Sequence, residues 1–149
     1  MLAEKLSHST AKSSLATWLV RGLILAVLLA NLSAALPFVL HPRNHGWAFE
    51  VQGSVGEVIV RSIGLLFLMW VVPYAPALLR PARYRVCLIV ILVQQSIGLL
   101  GETWMYLALP PGHPALRATG LRFIVFDAVG LLLLVVAYCV LRFCRIPDV

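Results

Sequence analysis

Four ionisable side chains lie within long apolar stretches of this 149-residue chain: Glu57, Arg61, Glu102 and Asp127. Glu57 and Arg61 are four residues apart, so a helix places them on one face within reach of each other as an ion pair. A charged side chain at mid-membrane costs about 2.5–3.5 kcal/mol on insertion scales, and such residues commonly mark ligand or proton paths. These four residues are therefore the strongest functional clue in the sequence.

A polar stripe accompanies Glu102. Gln95, Gly98 and Glu102 follow spacings of three and four residues, which put them on one helix face that lipid tails cannot satisfy. Glu102 and Asp127 are expected at similar depths, where two adjacent carboxylates can share a proton or act as acid and base. Alternatively, Arg61 bridges them and keeps both ionised. The sequence leaves these arrangements open.

The composition indicates that a membrane bundle positions these residues. The chain is 61% hydrophobic and only 12% charged, far more apolar than a soluble domain of its size. The net charge of +6 suggests nucleic acid at first, but the basic residues lie at the ends of apolar runs instead of on one soluble face. We therefore expect an integral membrane protein with no nucleic-acid partner.

Four apolar runs cover residues 16–36, 57–79, 86–108 and 120–143, and each has about the 20 residues that a 30 Å hydrocarbon core requires. The predicted fold is all-α: an integral membrane four-helix antiparallel bundle that forms a single transmembrane domain over residues 1–149. Pro73 and Pro76 remove backbone donors within the second run, so we expect a bend there.

The positive-inside rule predicts that both termini are cytoplasmic, which places the four ionisable residues in the outer half of the bundle. We expect the bacterial cytoplasmic membrane. A cleaved signal peptide is the alternative interpretation of the first run, because Ser33-Ala34-Ala35 resembles a cleavage site; we favour a retained span. The basic residues that flank the predicted cytoplasmic ends are Lys5, Lys12, Arg80, Arg83, Arg85, Arg142 and Arg145.

The first outer connection contains Trp47, Phe49 and Val51 in alternation with more polar or smaller residues. This alternation predicts an extended or interfacial flap over the outer mouth, with a short membrane-surface helix as the alternative. His41 and His45 lack a third ligand at a diagnostic spacing, so no metal site and no cofactor are predicted.

Small residues recur every four positions in the first span, at Gly22, Ala26, Ala30 and Ala34. Such a stripe lets helix backbones approach closely. We expect it to pack within the bundle; a homo-oligomer or larger complex formed through this face is the alternative. Arg122 lies about 140 degrees around the helix from Asp127 and is interpreted as a snorkelling anchor at the membrane surface.

The sequence is compatible with three functions. It is also compatible with a polar network that only fixes helix register. The favoured hypothesis is an outer-leaflet pocket that binds or helps to move a small polar or amphipathic ligand, beside the membrane lipids around it. The first alternative is an accessory subunit of a larger membrane complex. An intramembrane acid–base enzyme acting on a lipid-like substrate comes last, because no nucleophile or catalytic motif is present and the catalytic residues are unknown. The predicted ligand-binding residues are Glu57, Arg61, Gln95, Glu102 and Asp127.

Overall fold

The computed structural model describes the backbone of residues 2–144 and the side chains of residues 14–144. The predicted flanking residues Lys5, Lys12 and Arg145 lie outside the described side chains. The described backbone is helical with no strand. The helices are α1 (Leu2–Leu40), α2 (Gly53–Trp70), α3 (Tyr74–Leu79), α4 (Arg85–Ala108) and α5 (Pro114–Phe143).

Four segments are long and apolar enough to cross a membrane, which confirms the predicted four-helix membrane bundle. They are Ser14–Leu40 within α1, Gly53–Leu79 across α2 and α3, Arg85–Ala108 and Pro114–Phe143. Many large apolar side chains point away from the bundle; Val55, Leu100 and Leu107 are each at least 70% exposed. Such a surface suits lipid as its solvent.

The bundle has two unlike ends. We call the end with residues 41–52 and 109–113 the loop end, and the end with the turn at residues 80–84 the termini end. Towards the termini end α3 packs on both α1 and α4, and fully buried side chains such as Val20, Ile24, Tyr74, Leu88 and Leu134 fill the interior. Towards the loop end α2 packs mainly on α1, and among the described residues it has no extensive contact with α4 or α5. A gap therefore separates α2 from α4 in the loop-end half.

The second span is interrupted where the prolines predicted a bend. Helix α2 ends at Trp70, residues 71–73 form a turn, and Pro73 directly precedes α3. The break directs Tyr74 into the interior, where its side chain is completely buried. Arg21 donates a hydrogen bond from Nη2 to the carbonyl oxygen of Leu79 at 2.5 Å, which satisfies a backbone acceptor at the end of α3.

Residues 41–52, which we call the cap segment, form two short 3₁₀ turns at Pro42–Asn44 and Gly46–Phe49. The extended conformation predicted for this segment is therefore wrong, and the alternative of a short surface helix is closer. The Val51 N–H donates to the Gly46 carbonyl at 3.0 Å, and a Cβ at Gly46 would lie only 2.6 Å from the Val51 carbonyl oxygen. Glycine at position 46 thus permits the tight turn that the alternation of side chains did not reveal.

Candidate functional site

Glu57 and Arg61 do not form the predicted ion pair with each other. Glu57 accepts from Arg43 of the cap segment, with Nε and Oε1 2.6 Å apart. Arg61 instead donates from Nε to the carbonyl oxygen of Val39, at 3.3 Å. Both side chains therefore fasten the loop-end part of α2 to neighbouring backbone and the cap segment. They do not line the cavity described below.

Gln95 and Asp127 are brought together by the packing of α4 on α5. Gln95 is 1% exposed, and its Nε2 donates to Asp127 Oδ1 at 2.8 Å and to the Asp127 carbonyl oxygen at 3.4 Å. Another helix therefore supplies a partner for the Gln95 end of the polar stripe of α4, as predicted, but no described residue does so for Glu102 at its other end.

Two glycines make room for this contact. A Cβ at Gly98 would lie 2.6 Å from Asp127 Oδ2, and one at Gly130 would lie 2.8 Å from Gln95 Nε2. Real Cβ atoms essentially never come this close to another heavy atom. The polar side chain of each helix therefore packs against a bare stretch of the other.

Asn31 and Tyr74 extend the contact to α1 and α3, so that all four spans contribute. Asn31 is 4% exposed and donates to the Val27 carbonyl at 2.9 Å. The Tyr74 hydroxyl lies near Asn31 and interacts electrostatically with Asp127, but it makes no hydrogen bond of good geometry in the described part of the chain. We call Asn31, Tyr74, Gln95 and Asp127 the polar centre. Tyr74 was missed by sequence reasoning, although a tyrosine between two prolines in an apolar run was a usable signal.

Glu102 lies apart from this centre. It is half-buried and feels the Asp127 carboxylate electrostatically, yet it makes no hydrogen bond or ion pair with any described residue. Asp127 does not line the cavity that Glu102 lines. The cavity therefore presents Glu102 without Asp127, and the use of the two carboxylates as acid and base stays a prediction.

The cavity beside Glu102 has a volume of about 440 Å³ and occupies the gap between α2 and α4. Leu66 on α2 and Met105 on α4 are both more than half exposed, so the cavity reaches the lipid-facing surface between them. Glu102 is the only carboxylate that the described part of the chain contributes to its lining. The lining residues are Phe49, Ile63, Leu66, Phe67, Trp70, Glu102, Met105, Tyr106, Leu109, Leu116, Thr119, Gly120 and Phe123.

An aromatic cluster closes one wall of the cavity. Phe49 stacks on Phe123 with ring centroids 6.3 Å apart, and Phe67 meets Phe123 edge-on at 5.9 Å. Phe38 of α1 joins Phe49 at 5.6 Å and Phe67 at 6.4 Å. These four rings come from α1, the cap segment, α2 and α5, so no spacing along the chain predicted that they meet.

The cap segment is held over the cavity by a set of polar contacts with α5. Glu50 accepts from the backbone N–H groups of Ala115 at 3.1 Å and Leu116 at 3.3 Å, and its Oε2 lies 2.6 Å from His113 Nδ1. Thr119 Oγ1 donates to the Ala48 carbonyl at 2.7 Å. The hydrogen bond with His113, aided by the two backbone bonds, lowers the pKa of Glu50. Because Phe49 lies between Ala48 and Glu50, these contacts fix its ring at the cavity.

The small-residue stripe of α1 does not pack as predicted. Gly22 and Ala26 are exposed, and a Cβ at Gly22 would meet no atom within 4 Å, whereas Ala30 and Ala34 are partly buried. The expectation of packing within the bundle is therefore wrong for the first two positions. Contact with a second copy or a larger complex stays a prediction.

The arrangement offers one apolar, carboxylate-bearing cavity open to lipid and, beside it, a buried polar centre in which the Gln95 amide nitrogen is hydrogen-bonded, whereas Gln95 Oε1 and the Tyr74 hydroxyl have no hydrogen-bond partner among the described residues. Among the described residues no group of three or more His, Cys, Asp or Glu side chains is placed to hold a metal ion. No protein-family model matches the chain, and neither the curated proteins nor the solved structures include a match to it.

Proposed function

We propose that this protein binds an amphipathic molecule that enters the cavity between α2 and α4 sideways from the membrane. The observation that carries the proposal is the Glu102 carboxylate, which lines an apolar, laterally open cavity without a hydrogen-bond or ion-pair partner among the described residues.

The apolar walls of the cavity favour a ligand with an apolar body. Volumes of about 300–1,000 Å³ with mostly apolar linings and few polar groups are typical of small-molecule sites, and the cavity of about 440 Å³ falls in that range. A small polar ligand would find few groups to replace its water, so the amphipathic alternative fits better.

The Glu102 carboxylate favours a ligand whose head group is a cation or a hydrogen-bond donor. A carboxylate in apolar surroundings is stabilised by a cation or a hydrogen-bond donor. We therefore expect an amine or another donor-rich head group at Glu102.

The route follows from the packing. Fully buried side chains fill the bundle at the termini end, including Tyr74, Leu88 and Leu134, so the cavity suits binding from one leaflet better than conduction across the membrane. With both termini in the cytoplasm, as the basic flanks favour, this is the outer leaflet of the bacterial cytoplasmic membrane.

The test is binding of a fluorescent long-chain amine to the protein in lipid nanodiscs. Replacing Glu102 with Gln should weaken binding at least about tenfold, the size expected when a charge-assisted hydrogen bond is lost. The matched control is Glu57→Gln, which removes a carboxylate outside the cavity and should leave binding unchanged. A neutral probe with the same chain should bind wild type and Glu102→Gln equally. Equal binding of the amine to both would refute the proposal.

A further inference from the structure

We propose a second site, distinct from the cavity at Glu102: an anionic phospholipid lies in a groove between α1 and α5, with its phosphate on Arg122. The groove has a volume of about 360 Å³. Among the residues that the structure describes, Arg122 is the only charged one in its lining. The groove is lined by Ala26, Val27, Ala30, Arg122, Val125, Phe126, Val129, Gly130 and Leu133.

Arg122 has no anionic partner among the described residues. In the loop-end half, Arg43 pairs with Glu57, Arg61 donates to Val39, and Arg117 donates to the Leu109 carbonyl and covers the Tyr106 ring. In the part of the chain that the structure describes, Arg122 has neither a hydrogen bond nor an ion pair. A guanidinium group binds phosphate with two parallel hydrogen bonds, which makes a phosphodiester a fitting counter-ion.

Arg122 also lies within reach of the lipid head groups. Thr119 hydrogen-bonds to the cap segment, which marks the loop-end surface of the bundle. Arg122 follows three residues later, or about 4.5 Å further along the helix axis, within snorkelling distance of the head groups. The groove continues from Arg122 to Leu133, a distance of about 16 Å along α5, which is close to the thickness of about 15 Å of one hydrocarbon leaflet. A phospholipid whose phosphate binds Arg122 would therefore have an acyl chain lying along the groove.

The charge of Arg122 favours a lipid over a protein partner in this groove. An apolar helix in this groove would cover Arg122 without supplying an anion, and burying an unpaired charge is costly. A phospholipid supplies both the anion and the chain, so charge complementarity favours it over a second copy of this protein.

The test is native mass spectrometry of the protein released from neutral detergent with added phosphatidylglycerol. We expect a bound population that falls at least about tenfold in Arg122→Gln, as for a lost charge-assisted hydrogen bond. The matched control is Arg142→Gln, which removes another exposed arginine, in the last turn of the same helix and outside the groove; it should retain the lipid. Ala26→Leu fills the exposed groove while keeping the charge, and should also lower the bound population.

Four outcomes would overturn the proposal. Equal retention by Arg122→Gln and Arg142→Gln would make Arg122 a general surface charge. Unchanged retention by Ala26→Leu would place the lipid outside the groove. A wild-type dimer that Ala26→Leu converts to a monomer would make this face an interface between copies. Diacylglycerol, which has no phosphate, should bind wild type and Arg122→Gln alike; a difference between them would also count against the phosphate contact.

Discussion

Replacing Gly98 with Ala should loosen the polar centre, because the added methyl group would occupy space that the Asp127 carboxylate already fills. The new Cβ would lie 2.6 Å from Oδ2 and 3.3 Å from Cγ of Asp127. The carboxylate must move, and the 2.8 Å hydrogen bond from Gln95 is the contact that it loses.

The magnitude follows from two opposing effects. Overpacking costs about 1–3 kcal/mol, and a lost interhelical hydrogen bond in a membrane adds about 0.6 kcal/mol. The better helix propensity of Ala offsets up to about 1 kcal/mol. With the full offset, we expect the free energy of unfolding to fall by about 0.6–2.6 kcal/mol.

The control is Gly101→Ala, three residues further along the same helix. A Cβ at Gly101 would meet nothing within 4 Å, so this substitution should be neutral or stabilising by up to about 1 kcal/mol. The assay is reversible unfolding in mixed detergent micelles. Combining Gly98→Ala with Asp127→Ala removes the clashing carboxylate, so in that background Gly98→Ala should cost almost nothing. If Gly98→Ala and Gly101→Ala have the same stability, the packing argument is refuted.

Two further predictions concern the cap segment and Tyr74. Because the pKa of Glu50 is lowered in the folded protein, its contacts stabilise the cap segment fully above the usual value of 4.5, and that stabilisation is lost as the pH falls through the folded-state value. The hydrogen-exchange protection factors of the Ala115 and Leu116 amides, which correct for the intrinsic exchange rate at each pH, should therefore fall in acid, and Glu50→Gln should lack this acid step. A step of the same size in Glu50→Gln would assign it to other groups. The Tyr74 hydroxyl is buried without a hydrogen-bond partner of good geometry among the described residues, so Tyr74→Phe should leave the free energy of unfolding unchanged or higher, whereas a loss above about 1 kcal/mol would mean that the hydroxyl is satisfied.

The features that local chemistry determines were predictable from sequence. Bilayer thickness sets the length of an apolar run, and the prolines at 73 and 76 interrupt a helix wherever it lies, so both the four spans and the break before α3 followed directly. The contact between Gln95 and another helix followed because lipid cannot satisfy an amide.

The features that depend on tertiary packing were not predictable. Helical spacing allowed Glu57 to reach Arg61, but the cap segment supplies Arg43 instead, and its turned path depends on one close approach at Gly46. Periodicity likewise grouped the small residues of α1 on one face without indicating that Gly22 would point away from the bundle. Where the local sequence allowed two arrangements of a side chain equally well, contacts with residues distant in the chain determined which one formed.

The most direct test of the proposed function is the mass of the adduct formed by a photoreactive side chain at position 105, which lines the cavity. The control position is 100, which is 71% exposed on the same helix and outside the cavity. In native membranes we predict one dominant amine-bearing amphipath at position 105 that disappears in Glu102→Gln, and a mixture of bulk lipids at position 100. The same mixture at both positions, unaffected by Glu102→Gln, would contradict the account.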